Sequence, residues 1–131
     1  MPRFLPLVLL AVLFASCGSG ERERDAASVS NHFHAALEAG DGAEACEQLS
    51  EETASKLEES EGAPCEQAVL DVDLPAGATN ASAEVYVTSA FIDLADAGSV
   101  FLDKGHEGWK VSAAGCEPPT GDRPWECRLE G

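Results

Sequence analysis

Hydrophobic spacing along this chain changes period once, and that change restricts the fold more than any other feature of the sequence. From Val29 to about residue 70 the apolar residues recur three and four apart, whereas from Ala83 they alternate. Val29, Phe33, Ala36 and Leu37 predict an amphipathic helix over 28–39, with Ser28 or Ser30 available as N-cap and Gly40 as stop. The turn Gly40-Asp41-Gly42 leads to a second helical face formed by Ala45, Cys46 and Leu49. Ser50 then caps a helix over 51–60 whose first turn carries Glu51 and Glu52 and whose Ala54 and Leu57 point inward. Gly62-Ala63-Pro64 ends it, and 65–70 adds a last short helix. Beyond, Ala83, Val85 and Val87 alternate with Glu84, Tyr86 and Thr88, as in a half-buried strand. Further strands are expected at 91–94, 100–102, 109–113 and 125–129, separated by turns at Asp96-Ala97-Gly98 and over 105–108 and by the Pro118-Pro119 and 121–124 breakers. Helices followed by a meander predict an α+β domain, its short helices packed on one face of an antiparallel sheet.

The N-terminus has a different character. One early cation, Arg3, precedes an apolar run from Phe4 to Ala15, which closes in small residues just before Cys17. About 12 apolar residues suit the core of a secretory signal and fall short of the roughly 20 that span a bilayer as a helix. The cysteine also stands where a bacterial lipobox places its lipid-accepting thiol, although Phe14 occupies the position usually held by a small aliphatic residue. Cleavage before Cys17 would leave that residue acylated; the other reading is an ordinary export signal cut near Ser16. The chain thus divides into a signal over 1–16, a lipidated Cys17 with a polar tether over 17–27, and one domain over 28–131. Its expected location is the extracytoplasmic face of the cell membrane.

Composition narrows the partners. The chain has 24 acidic residues against 8 basic ones and a formal net charge of −16. Loss of Arg3 with the signal makes the mature chain more acidic still. Phosphate backbones and anionic headgroups are repelled by such a balance, which excludes nucleic acid and polybasic membrane docking. Four cysteines remain after Cys17 in a chain sent to an oxidising space, and an even count there implies disulfides in one of three pairings. None has the CxxC spacing of a zinc ribbon or a redox site, so no metal is expected. The sequence-local pairing, Cys46 with Cys65 and Cys116 with Cys127, is the one anticipated. Each bridge then closes a loop of about ten to twenty residues, worth about 3 kcal/mol in the chain-entropy picture.

Phe33-His34-Ala35-Ala36-Leu37-Glu38-Ala39-Gly40-Asp41, the segment Val100-Phe101-Leu102, and Gly108-Trp109-Lys110-Val111 followed by Ala113-Ala114-Gly115-Cys116 together resemble small actinobacterial lipoproteins with an NTF2-like or SnoaL-like domain. The resemblance covers about 28–131. It implies a curved sheet wrapped by helices into a cone around a cavity, and disulfides at the four later cysteines. It implies no activity, because that fold hosts cyclases, isomerases and transport factors alike.

Candidate chemistry is sparse. His32 and His34, two apart on a helix, point about 200° from one another and cannot share a metal or substrate. One is expected at the core beside Phe33 and the other in solvent; His106, in a Gly-flanked turn, is a surface residue. Isomerases of the resembled fold use a carboxylate in an apolar cavity as base, and Asp93 and Asp103 are the acids whose strands could aim them there. A slip of one residue in register would turn either to solvent. Phe101 and Trp109 could line a ligand pocket, with Tyr86 at its rim, or could simply fill the core. Trp125 is expected to cover an open sheet edge or the mouth of the cone. No cofactor motif is present, and the Asn80-Ala81-Ser82 sequon is idle in a bacterial lipoprotein. The balance favours a non-catalytic module that binds a protein partner or a small apolar ligand, with a cavity-based isomerase, cyclase or hydrolase as the alternative.

Overall fold

A computed structural model describes residues 19–75 and 82–131. The signal, Cys17 and the first two residues of the sequon lie outside these. Four helices precede five strands: α1 (Ser19–Glu38), α2 (Gly42–Glu47), α3 (Glu51–Glu61), α4 (Cys65–Asp71), β1 (Ser82–Tyr86), β2 (Ser89–Asp93), β3 (Ser99–Gly105), β4 (Gly108–Glu117) and β5 (Glu126–Glu130). The strands form one antiparallel sheet in the order β1-β2-β3-β4-β5. The helices pack on it, so the domain is α+β, as the change of period predicts.

Local chemistry explains the boundaries of the middle helices. Asp41 caps α2 by accepting the Glu44 amide, and Ser50 caps α3 by accepting the Thr53 amide at 3.2 Å. Gly62 closes α3 in the left-handed region, φ 66°, with its amide donated to the Glu58 carbonyl. The start of α1 differs from expectation. Helix begins at Ser19, nine residues before the first predicted residue, so most of the expected polar tether is helical and Ser28 and Ser30 are interior residues instead of caps. Glu21-Arg22-Glu23-Arg24-Asp25 shows no apolar periodicity, yet Ala26 just beyond it is fully buried, and the Arg22 guanidinium donates to the Val87 carbonyl at the β1–β2 turn. Contacts with the sheet extend this helix where spacing alone gives no reason for it.

Between helices and sheet lies the core. Phe33 of α1, Val69 of α4, Ile92 of β2, Val100 and Leu102 of β3 and Val111 of β4 are all fully buried. Two irregularities shape β4. Leu102 is paired with Val111 but Phe101 with Ala113, leaving Ser112 as an extra residue, and a second shift follows toward Cys116. Such bulges bend a strand and sharpen its twist. The first also fastens the surrounding elements: the Ser112 carbonyl accepts from the Thr53 hydroxyl of α3 at 2.9 Å and from the Gly131 amide at 3.0 Å. A parallel bridge between Leu49 and Val111 ties the α2–α3 junction to the same strand.

Both disulfides take the sequence-local pairing. Cys46–Cys65 joins α2 to α4, and Cys116–Cys127 joins directly opposed residues of β4 and β5.

Candidate functional site

Strand alternation divides the sequence candidates between the two faces of the sheet. Ala90, Ile92, Val100, Leu102, Trp109 and Val111 face the helices and are buried. Phe91 and Asp93 of β2, and Phe101 and Asp103 of β3, occupy the opposite face. Tyr86 belongs to this outer face as well, being paired with Ser89 next to Asp103.

The proposed pocket residues are therefore not brought together. Trp109 is 5% exposed on the helix side, with the Lys104 ammonium 5.7 Å from its ring centroid and its indole N–H buried without an acceptor. That is the position of a side chain that fills the core. Phe101 lies on the other side, in a cluster with Phe91 (ring centroids 5.2 Å apart) and Trp125 (5.3 Å). Trp125 also meets Phe91 at 5.7 Å. It does not cover a sheet edge but folds back over the two phenylalanines on the outer face. Edge-to-face and tilted contacts of this kind add about 0.5–1.5 kcal/mol per pair beyond area burial. Tyr86 stands apart, 62% exposed, with its hydroxyl donated to Glu84 at 2.7 Å. That hydrogen bond, and secondarily the charge of the carboxylate, raises the pKa of the phenol.

The two acids follow their strands outward. The Asp93 carboxylate accepts the Ala95 amide at 2.9 Å and so caps the short turn after β2. Asp103 accepts from the Ser89 hydroxyl at 3.3 Å and borders an open hollow of about 440 Å³ shared with Lys104, His106 and Lys110. Neither acid reaches the apolar interior. A larger open hollow, about 860 Å³, lies between α3, the end of α4 and β5 and is lined by Glu59, Glu61, Asp71, Asp73, Lys56 and Arg128. No sequence candidate lines it, and among the described residues no three His, Cys, Asp or Glu side chains are grouped to hold a metal.

The histidines separate as their spacing requires. His34 is 2% exposed, packed edge-on against Phe33, with its Nδ1 bonded to the Ser30 carbonyl at 2.7 Å. Burial lowers its pKa below 6.5, partly offset by that bond. His32 is exposed.

Sequence reasoning overlooked the β1–β2 turn. Tyr86 pairs with Ser89, so only Val87 and Thr88 form the loop, and Val87 adopts φ 51° while 77% exposed. A two-residue hairpin loop calls for positive φ, which favours glycine or asparagine. The alternation of Ala83, Val85 and Val87 runs on into the loop and conceals it, so the strand expected to include Val87 and Thr88 ends at Tyr86.

No protein-family model matches the chain, and no curated protein or solved structure matches it significantly. The class defined by fold and bonding is a disulfide-stapled α+β domain.

Proposed function

We propose that this chain is an extracytoplasmic lipoprotein, held to the cell membrane through acylated Cys17 and acting there as a non-catalytic interaction module. The observation that carries the reading is the conjunction of an export-type N-terminus ending at Cys17 with a domain whose other four cysteines are all paired in two disulfides. Such bridges persist in oxidising compartments, which supports export.

The finer architecture is proposed as a variant of the NTF2-like cone. Support comes from the order of helices before meander and from the bulges that bend β4. The helix side of its sheet is filled by Phe33, Ile92, Leu102 and Trp109, which favours a protein partner over a small ligand held inside. The catalytic alternative relied on an acid inside that interior, and its two candidates occupy the outer face.

Mass measurement on protein extracted from its own membranes tests the anchor. The expected polypeptide starts at Cys17, carries acyl chains and gains four hydrogens on reduction. Cys17→Ser should move the protein out of the membrane fraction; an unacylated mass that begins elsewhere, or a variant still membrane-bound, rejects the reading.

A further inference from the structure

The β1–β2 hairpin tip lies at the same end of the domain as the start of α1. Arg22, in the first turn of that helix, donates to the Val87 carbonyl, and the Thr88 carbonyl accepts the Lys104 amide at 2.8 Å. Val87 and Thr88 therefore project beside the point at which the chain enters the domain. That point is close to Cys17 in sequence, since α1 begins at Ser19. Two residues of chain extend to no more than about 7 Å. An anchor on Cys17 thus leaves this end of the sheet against the bilayer, where a ten-residue flexible tether would have let it float away.

The tip itself has the chemistry of an interfacial contact. Among the described residues, Val87 and Tyr86 are the two most exposed large apolar side chains, at 77% and 62%. Val87 is a β-branched residue held at positive φ, in a loop position better suited to glycine, with most of its surface open to solvent. Tyrosine, with an apolar ring and a polar tip, is enriched at membrane–water interfaces. With a net charge of −16 the protein gains nothing from anionic headgroups, so contact with lipid has to be made by apolar side chains.

We propose that Tyr86 and Val87 insert into the headgroup region of the bilayer that holds the anchor, fixing the orientation of the domain on the membrane. The inference rests on the lipoprotein reading above. Insertion orients the outer face of the sheet, including Phe91, Phe101 and Trp125, steeply to the membrane plane and leaves it open to a partner approaching along the surface.

The test uses the acylated full-length mature protein carrying Tyr86→Trp, reconstituted in phosphatidylcholine vesicles with or without bromine on the acyl chains near the headgroup. Side chains at this depth sit about 5–10 Å into the boundary, so the emission added by the new indole should fall by roughly half in brominated vesicles. The parent protein, with only Trp109 and Trp125, should lose far less. Combining Tyr86→Trp with Val87→Gly, which relieves the backbone and keeps the hairpin, should weaken the quenching. Protein that floats with the vesicles but shows no quenching of the added emission overturns the contact and leaves the anchor standing. Acylated protein that fails to float overturns both.

Discussion

Val87 carries an unfavourable backbone angle while most of its surface lies in solvent, which makes it a direct measure of what the hairpin turn demands. A non-glycine residue in the left-handed region costs about 1–2 kcal/mol, and glycine gives back part of that through its freer unfolded chain. Val87→Gly should therefore stabilise the domain by about 1 kcal/mol, raising its Tm by about 4–8 °C in a thermal melt. A melt that is unchanged or lower shows that the turn is unstrained. His34 gives the opposite sign with pH. Burial depresses its pKa, so the folded state binds fewer protons than the unfolded one; its contribution is intact above pH 6.5 and is lost as the pH falls below that value. Denaturant midpoints measured from pH 7.5 to 5.5 should decline, and His34→Leu should flatten that decline even if it shifts the whole curve. The spacing of His32 and His34 already put them on different sides of the helix, but it left open which one the core would take. The answer came from Phe33 and the Ser30 carbonyl, to which only His34 is close.

Among the elements, α2 and α4 approach one another closely and are joined by Cys46–Cys65. Gly42 opens α2 so close to α4 that a Cβ there would fall on the Glu66 carbonyl and collide with backbone that cannot swing aside. Overpacking of this kind costs about 1–3 kcal/mol and sometimes more. Gly42→Ala should lower stability by at least that range in chemical denaturation, whereas Gly40→Ala is opposed only by its positive φ of 69°, with open space around it. Equal losses from the two would show that crowding against α4 is not the cause. The same pair illustrates how far element-level signals go. Gly40-Asp41-Gly42 is readable as a turn because glycine and aspartate break a helical pattern. That the second glycine is required by a neighbouring helix is a long-range fact with no local mark. The extension of α1 to Ser19 is similar, since its first turns are held by Val87 and by burial of Ala26 rather than by their own periodicity.

At the scale of the whole molecule, acidity dominates. Against 24 acidic residues, the described residues form two ion pairs, Lys56 with Glu52 and Arg128 with Asp73, both exposed and so worth little. Self-repulsion then opposes the compact state, and salt screens it over about 10 Å at 0.1 M. Moving the protein from low salt to about 0.5 M sodium chloride should raise its Tm by a few degrees, in contrast to proteins held by surface ion pairs. A Tm that falls instead would mean that attraction between charges prevails. The sequence by itself determined the α+β class and the positions of most helices and all five strands, because period and capping residues are local properties; of the three cysteine pairings it left open, the structure takes the sequence-local one. It also determined that Phe101 and Asp103 share a face, as alternation requires. Only the tertiary structure decided which face the helices cover. The β2 run Ala90-Phe91-Ile92 is apolar on both sides, so register alone is neutral between them, and packing against α1 buried Ala90 and Ile92 while leaving Phe91 to Phe101 and Trp125. That choice set Asp93, Asp103 and Tyr86 on the outer surface, Trp109 in the core and Val87 beside the start of α1, and it is a balance of buried area over the whole sheet that no short stretch of sequence contains.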